Sequence, residues 1–152
     1  MTQREYILAV TTLKQRLDAA GIRNSIEIRP VGTFGTVLTM NSSVEASGFV
    51  LQVGLENFDF FPDGTVHRAF RYRIFEPGKQ PGRDEPLIRL QSAKKFDKYP
   101  NHAHFAPNFM ADHFNESHWP DWLKNPDFTK AYELLKQIVT GEGALPEPFR
   151  SA

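Results

Sequence analysis

Two long β-prone runs, residues 48–60 and 65–75, are separated by little more than Pro62-Asp63-Gly64. Proline presets one turn angle, and Asp-Gly accepts the left-handed conformation that a tight reversal needs. The two runs therefore read as an antiparallel hairpin. A period of two divides the second run. Val66, Phe70, Tyr72 and Ile74 share one face, interrupted by Arg68. His67, Arg71 and Arg73 share the other, with Ala69 and Phe75. In the first run Phe49, Leu51, Val53 and Leu55 share a face, but Asn57 and Asp59 continue it. That strand is expected to end or bulge there.

Three more extended segments flank the hairpin. Ser25–Arg29 alternates around Ile26 and Ile28, and Thr33–Met40 aligns Phe34, Leu38 and Met40. Asn41-Ser42-Ser43 reads as the turn after it, and Pro86–Gln91 as a later strand. At the amino end, Thr2 and Glu5 fit a capping box. Tyr6, Val10, Leu13 and Leu17 follow at helical spacing, and Gly21 suits the stop. At the carboxyl end, Asn125-Pro126-Asp127 opens a second helix with Phe128, Tyr132, Leu135 and Val139 on its buried face, closed by Gly141. The expected fold is α+β: an antiparallel sheet of about five strands flanked by an N-terminal and a C-terminal helix. Residues 1–141 form a single domain, and 142–152 a loose C-terminal tail.

Composition narrows the chemistry. The chain has 152 residues, no cysteine, 18 basic and 18 acidic side chains. Thiol catalysis, disulfides and Cys-ligated metal centres are excluded. No apolar run reaches the ~20 residues of a membrane span, and the first residues lack a signal-peptide layout. A cytoplasmic protein with no membrane partner is expected. The charge is uneven: residues 61–100 carry nine basic and five acidic side chains, and 101–152 carry four and seven.

The candidate site residues lie in the basic middle. His102 and His104 are two apart, so an extended backbone points both imidazoles the same way, about 7 Å apart. Such a pair suits acid and base roles in phosphoryl chemistry, because His titrates near neutral pH. His67, Arg71 and Arg73, with Arg89 on the next strand, present forked donors that match phosphate oxygens. Lys94, Lys95 and Lys98 extend this basic surface, or form a solvated loop. Phe105, Phe109, Phe114, Trp119 and Trp122 suit either base stacking or closure of a core, the core being the commoner use. His113, with Asp112, would be needed to complete a metal site around His102 and His104. The spacing does not demand one, and no metal or cofactor is expected. Phosphate-loop, nucleophile-elbow and dinucleotide signatures are absent.

Asp63-Gly64, Phe70-Arg71-Tyr72-Arg73, Leu87-Ile88-Arg89 and Pro100-Asn101-His102-Ala103-His104 together resemble the TumE-type toxin family of prokaryotic toxin–antitoxin modules. The resemblance covers about residues 55–108. By that resemblance Arg71, Arg73, Arg89, His102 and His104 match the family's polar positions. The chain departs from the pattern where Gln91–Phe96 stands in place of an Asp-Asn-Ala-Pro-His-His-like stretch. The family's His-His pair is reduced to Asn101-His102. The resemblance implies an antitoxin protein as partner.

Three function classes stay open. One is a toxin-like protein acting on RNA or another phosphate-bearing target, with His102 and His104 catalytic and His67, Arg71, Arg73 and Arg89 binding substrate. Another is a non-enzymatic module that binds protein or nucleic acid, including a homodimer joined through complementary patches. The third is a metal-dependent enzyme using His102, His104 and His113.

Overall fold

The computed structural model describes residues 1–31, 35–92, 101–106 and 114–141. They form one α+β unit. Helix α1 (Gln3–Ala19) is followed by strands β1 (Arg29–Val31), β2 (Thr36–Ala46), β3 (Phe49–Phe60), β4 (Val66–Phe75), β5 (Ile88–Gln91), β6 (His102–Phe105) and β7 (Phe114–Asn115). Two single-turn 3-10 helices and helix α2 (Phe128–Thr140) complete it. The sheet is antiparallel throughout, and its spatial order is the chain order. Helices at both chain ends are as expected, but there are seven strands rather than five. Strands β6 and β7 come from a stretch whose sequence reads as irregular; four and two residues are too few to display a period. No helix among the described residues is long and apolar enough to cross a membrane.

Two of the expected boundaries are wrong, each for a local reason. The first strand is Arg29–Val31 and not Ser25–Arg29. Residues 24 and 25 only touch β2, through an Asn24–Val44 bridge and the Ser25 amide on the Ser43 carbonyl. Pro30 can lie within β1 because β1 is an edge strand. Asn41-Ser42-Ser43 is not a turn but the middle of β2, where Asn41 takes a φ of 53°. The reversal comes later, at Ser47-Gly48, whose positive φ values of 51° and 84° make a two-residue hairpin of the primed type. Thr33 and Phe34 lie outside the described residues, as do Lys94, Lys95, Lys98, Phe109, Asp112, His113 and the 142–152 tail.

The β3–β4 hairpin forms as read. The Gly64 amide bonds the Phe61 carbonyl, and the Asp63 carboxylate accepts from the Thr65 amide. The expected irregularity is a bulge between Val53 and Leu55 relative to β4. It flips the pattern: Leu51 and Val53 face the helices, then Glu56, Phe58 and Phe60 do, while Leu55, Asn57 and Asp59 turn to the opposite side. Arg68 interrupts the apolar face of β4 at low cost because its guanidinium lies 5.4 Å from the Phe58 ring centre.

Both helices cover this one face. Helix α1 starts with the full Thr2/Glu5 capping box. It ends with Gly21 at φ 71°, while the Ile22 amide reaches back to the Leu17 carbonyl. Tyr6 packs 5.2 Å from Phe58 and 5.7 Å from Phe60, ring to ring. Helix α2 is capped by Asp127, whose carboxylate accepts from the Lys130 amide, rather than by Asn125. Its buried residues are Phe128, Ala131, Leu134 and Leu135; Tyr132 and Val139 are only half buried. Trp119 closes the core beside it, donating its indole N–H to the Phe114 carbonyl. Phe105 and Phe114 pack edge to face, so these aromatics serve the fold.

Tyr6 is 0% exposed, yet its hydroxyl has no hydrogen-bond partner among the described residues. Burying an unsatisfied hydroxyl costs roughly 1–3 kcal/mol. Tyr6→Phe is therefore expected to raise unfolding free energy by about 1 kcal/mol, read by urea titration. A loss of stability would show that the hydroxyl is satisfied in solution.

Candidate functional site

Pairing across the sheet sorts the polar residues into two adjacent rows on the face away from the helices. Gln52, Arg73, Arg89 and His104 form one row on β3, β4, β5 and β6. Leu55, Arg71, Gln91, His102 and Asn115 form the other, ending on β7. Neighbours along a row are about 4.8 Å apart, and the rows about 7 Å. Five of the six expected site residues thus meet in one patch. His67 does not. It lies two further rows along β4, opposite Asp59, exposed, with its ring 4.9 Å from that of Phe61. A cavity of about 640 Å³ opens at that end, lined in part by Asn57, Asp59, His67 and Arg68.

The patch concentrates positive charge. Arg73 and Arg89 stand directly opposite each other, which is unfavourable for like charges. Burial, then the neighbouring Arg71, pulls Arg73 below the ordinary arginine value. Burial, then Arg73 and Arg71, does the same to Arg89. Among the described residues no carboxylate pairs with Arg71 or Arg73, and the buried Nε of each lacks an acceptor. Gln52 Oε1 and Asn57 Oδ1, on the same face, are buried acceptors without a donor among the described residues.

The two histidines lie in strand β6 rather than in a loop, and they are buried. His102 is 9% exposed and His104 2%, with ring centres 4.8 Å apart at 77°. The extended backbone aligns them, as the two-residue spacing requires. Among the described residues no group of three His, Asp or Glu side chains is placed to hold a metal. His118 is exposed and stacks on Phe114, and Glu116 is engaged by the Asn101 side chain and the Asn125 amide.

Two features of the region were not anticipated from the sequence. Gly54, the bulge residue, lies beneath Arg71: a Cβ there would stand 3.3 Å from Arg71 Nε. On the helix side, the Tyr72 hydroxyl donates a short hydrogen bond to Glu56, and both groups are fully buried. Burial pushes the Glu56 carboxyl up to about 8, with Asp127 adding to the rise and Tyr72 opposing it. Burial, then Glu56, raises the Tyr72 hydroxyl. A polar residue in an apolar row, Glu56 in line with Phe58 and Phe60, was the available signal. It becomes visible only once the bulge is placed.

No family model matches the chain, and neither the curated proteins nor the solved structures contain a match to it.

Proposed function

We propose that this chain is a small toxin of the toxin–antitoxin type that acts on RNA through its Arg/His sheet face. The observation that carries the reading is the pair Arg71 and Arg73, half buried, unmatched by any described carboxylate, on the same face as His102 and His104. Guanidinium groups held without counter-ions favour an anion, and their forked donors fit phosphate oxygens. In this reading Arg71, Arg73 and Arg89 hold the phosphate, and His102 and His104 supply base and acid. His67 contributes farther along the bound strand. An antitoxin would act by covering the same face.

The burial of His102 and His104 favours a second reading, a binding module without turnover, in which the imidazoles shape the face instead of moving protons. Controlled expression in a bacterial host separates the two. Wild-type chain is expected to arrest growth with loss of RNA integrity. The His102→Ala/His104→Ala and His102→Gln/His104→Gln variants, soluble and folded, are expected not to. Gln preserves much of the buried volume, so it guards against simple misfolding. Arrest by a folded double variant sinks the catalytic assignment. RNA binding with no arrest by any form favours the binding module.

A further inference from the structure

The positive patch is small, and its borders are chemically defined. Along β4, the row beyond Arg73 holds Phe75 opposite Val50, and Phe75 is fully buried. In the other direction, the row beyond Arg71 holds Ala69 opposite Asn57, and the next holds His67 opposite Asp59. Across the strands, the Arg73 row ends on neutral Gln52 and the Arg71 row on Leu55. Arginine therefore occupies only two rows, a span of about 7 Å. A groove that tracks a polynucleotide repeats its positive charges along the path. Here an apolar side chain closes one direction, and a carboxylate stands about 14 Å from Arg71 Cα in register terms, roughly two rows on.

Gly54 sharpens the same patch. It is an interior strand residue at a bulge, and its bare Cα leaves room for the Arg71 guanidinium to lie close against the sheet. Arg71 is thereby held low beside Arg73 and Arg89. Three guanidinium groups within one phosphate's reach supply three positive charges. An internal phosphodiester carries one negative charge, whereas a phosphate end group carries up to two and offers three terminal oxygens.

We infer that the Arg71/Arg73/Arg89 patch recognises the terminal phosphate of a nucleic acid strand, and that Gly54 positions Arg71 for it. This rests on the sheet face being the RNA site. The test is fluorescence anisotropy of the full chain with one short single-stranded RNA in three forms: 5′-phosphorylated, 3′-phosphorylated and unphosphorylated. One phosphorylated form is expected to bind about 10- to 100-fold tighter than the unphosphorylated one, the scale of an added charge-assisted hydrogen bond. Arg73→Gln is expected to abolish that preference. Gly54→Ala is expected to reduce it while Arg73 remains in place. Equal affinity for all three RNAs, still dependent on Arg71 and Arg73, overturns the end-group assignment and leaves the RNA reading standing. No binding of any form at low salt overturns both.

Discussion

Glu56→Gln is expected to be strongly stabilising at alkaline pH and nearly neutral in acid. In the unfolded chain this carboxyl titrates near its ordinary 4.5; in the fold, burial holds it protonated up to about 8. Between those values folding takes up a proton. The stability contributed by the protonated form is complete below about pH 4.5 and is lost as pH rises through about 8. Every tenfold difference in proton affinity between fold and unfolded chain is worth about 1.4 kcal/mol, so the full loss is on the order of 4–5 kcal/mol. Above pH 8 the carboxylate is ionised in both states and the loss stops growing. Glutamine keeps an acceptor for the Tyr72 hydroxyl and needs no proton. Urea unfolding across pH should show wild type and variant converging near pH 4.5 and separating by about 4 kcal/mol at about pH 8.5. Parallel curves would mean that the carboxyl is not the source of the pH dependence.

The second large effect is expected in binding. Arg71→Gln/Arg73→Gln should weaken RNA affinity about 100-fold, since each charge-assisted contact contributes about 1.5 kcal/mol or more. The dependence of affinity on salt should become shallower by roughly one in log–log slope. Removing Arg73 also relieves its confrontation with Arg89 across β4 and β5. The unliganded variant should therefore unfold at the same or higher temperature, by the equivalent of about 0.2–1 kcal/mol. Arginines serving only the fold would give the reverse: a lower unfolding temperature and unchanged RNA affinity.

What could be read from the sequence depended on which contacts are local. The α1 capping box, the Asp63-Gly64 reversal and the two faces of β4 each depend on a few neighbouring residues, and each forms as read. Extending the hairpin pairing from Phe60↔Val66 already sets Leu55 against Arg71. The junction of Arg73 with Arg89 and His104 requires knowing that β5 and β6 pair in turn, which four-residue strands do not announce. Asn41 misleads because a turn-forming residue can equally supply a left-handed step inside a strand. His67 groups with Arg71 in the sequence because period two assigns a face and is silent about distance along it. The burial of His102 and His104 is likewise hidden, since composition does not show which segments meet in space.

Every strand pairs only with its predecessor and successor in the chain. Such an order bears on how the molecule folds. Loop-closure cost rises with the length of chain to be closed, and β proteins fold slowly mainly when distant strands must find each other. Here the sheet can zip outward from the tight Ser47-Gly48 and Pro62-Asp63-Gly64 reversals, one short closure at a time. The long-range event is the meeting of the two terminal helices, where Leu13 and Leu17 approach Tyr132 after a long stretch of intervening chain. The hairpin sheet is thus the expected early structure. The docking of α2 over Glu56 and Tyr72 becomes the late step, the one at which the buried carboxyl must give up water and acquire its proton.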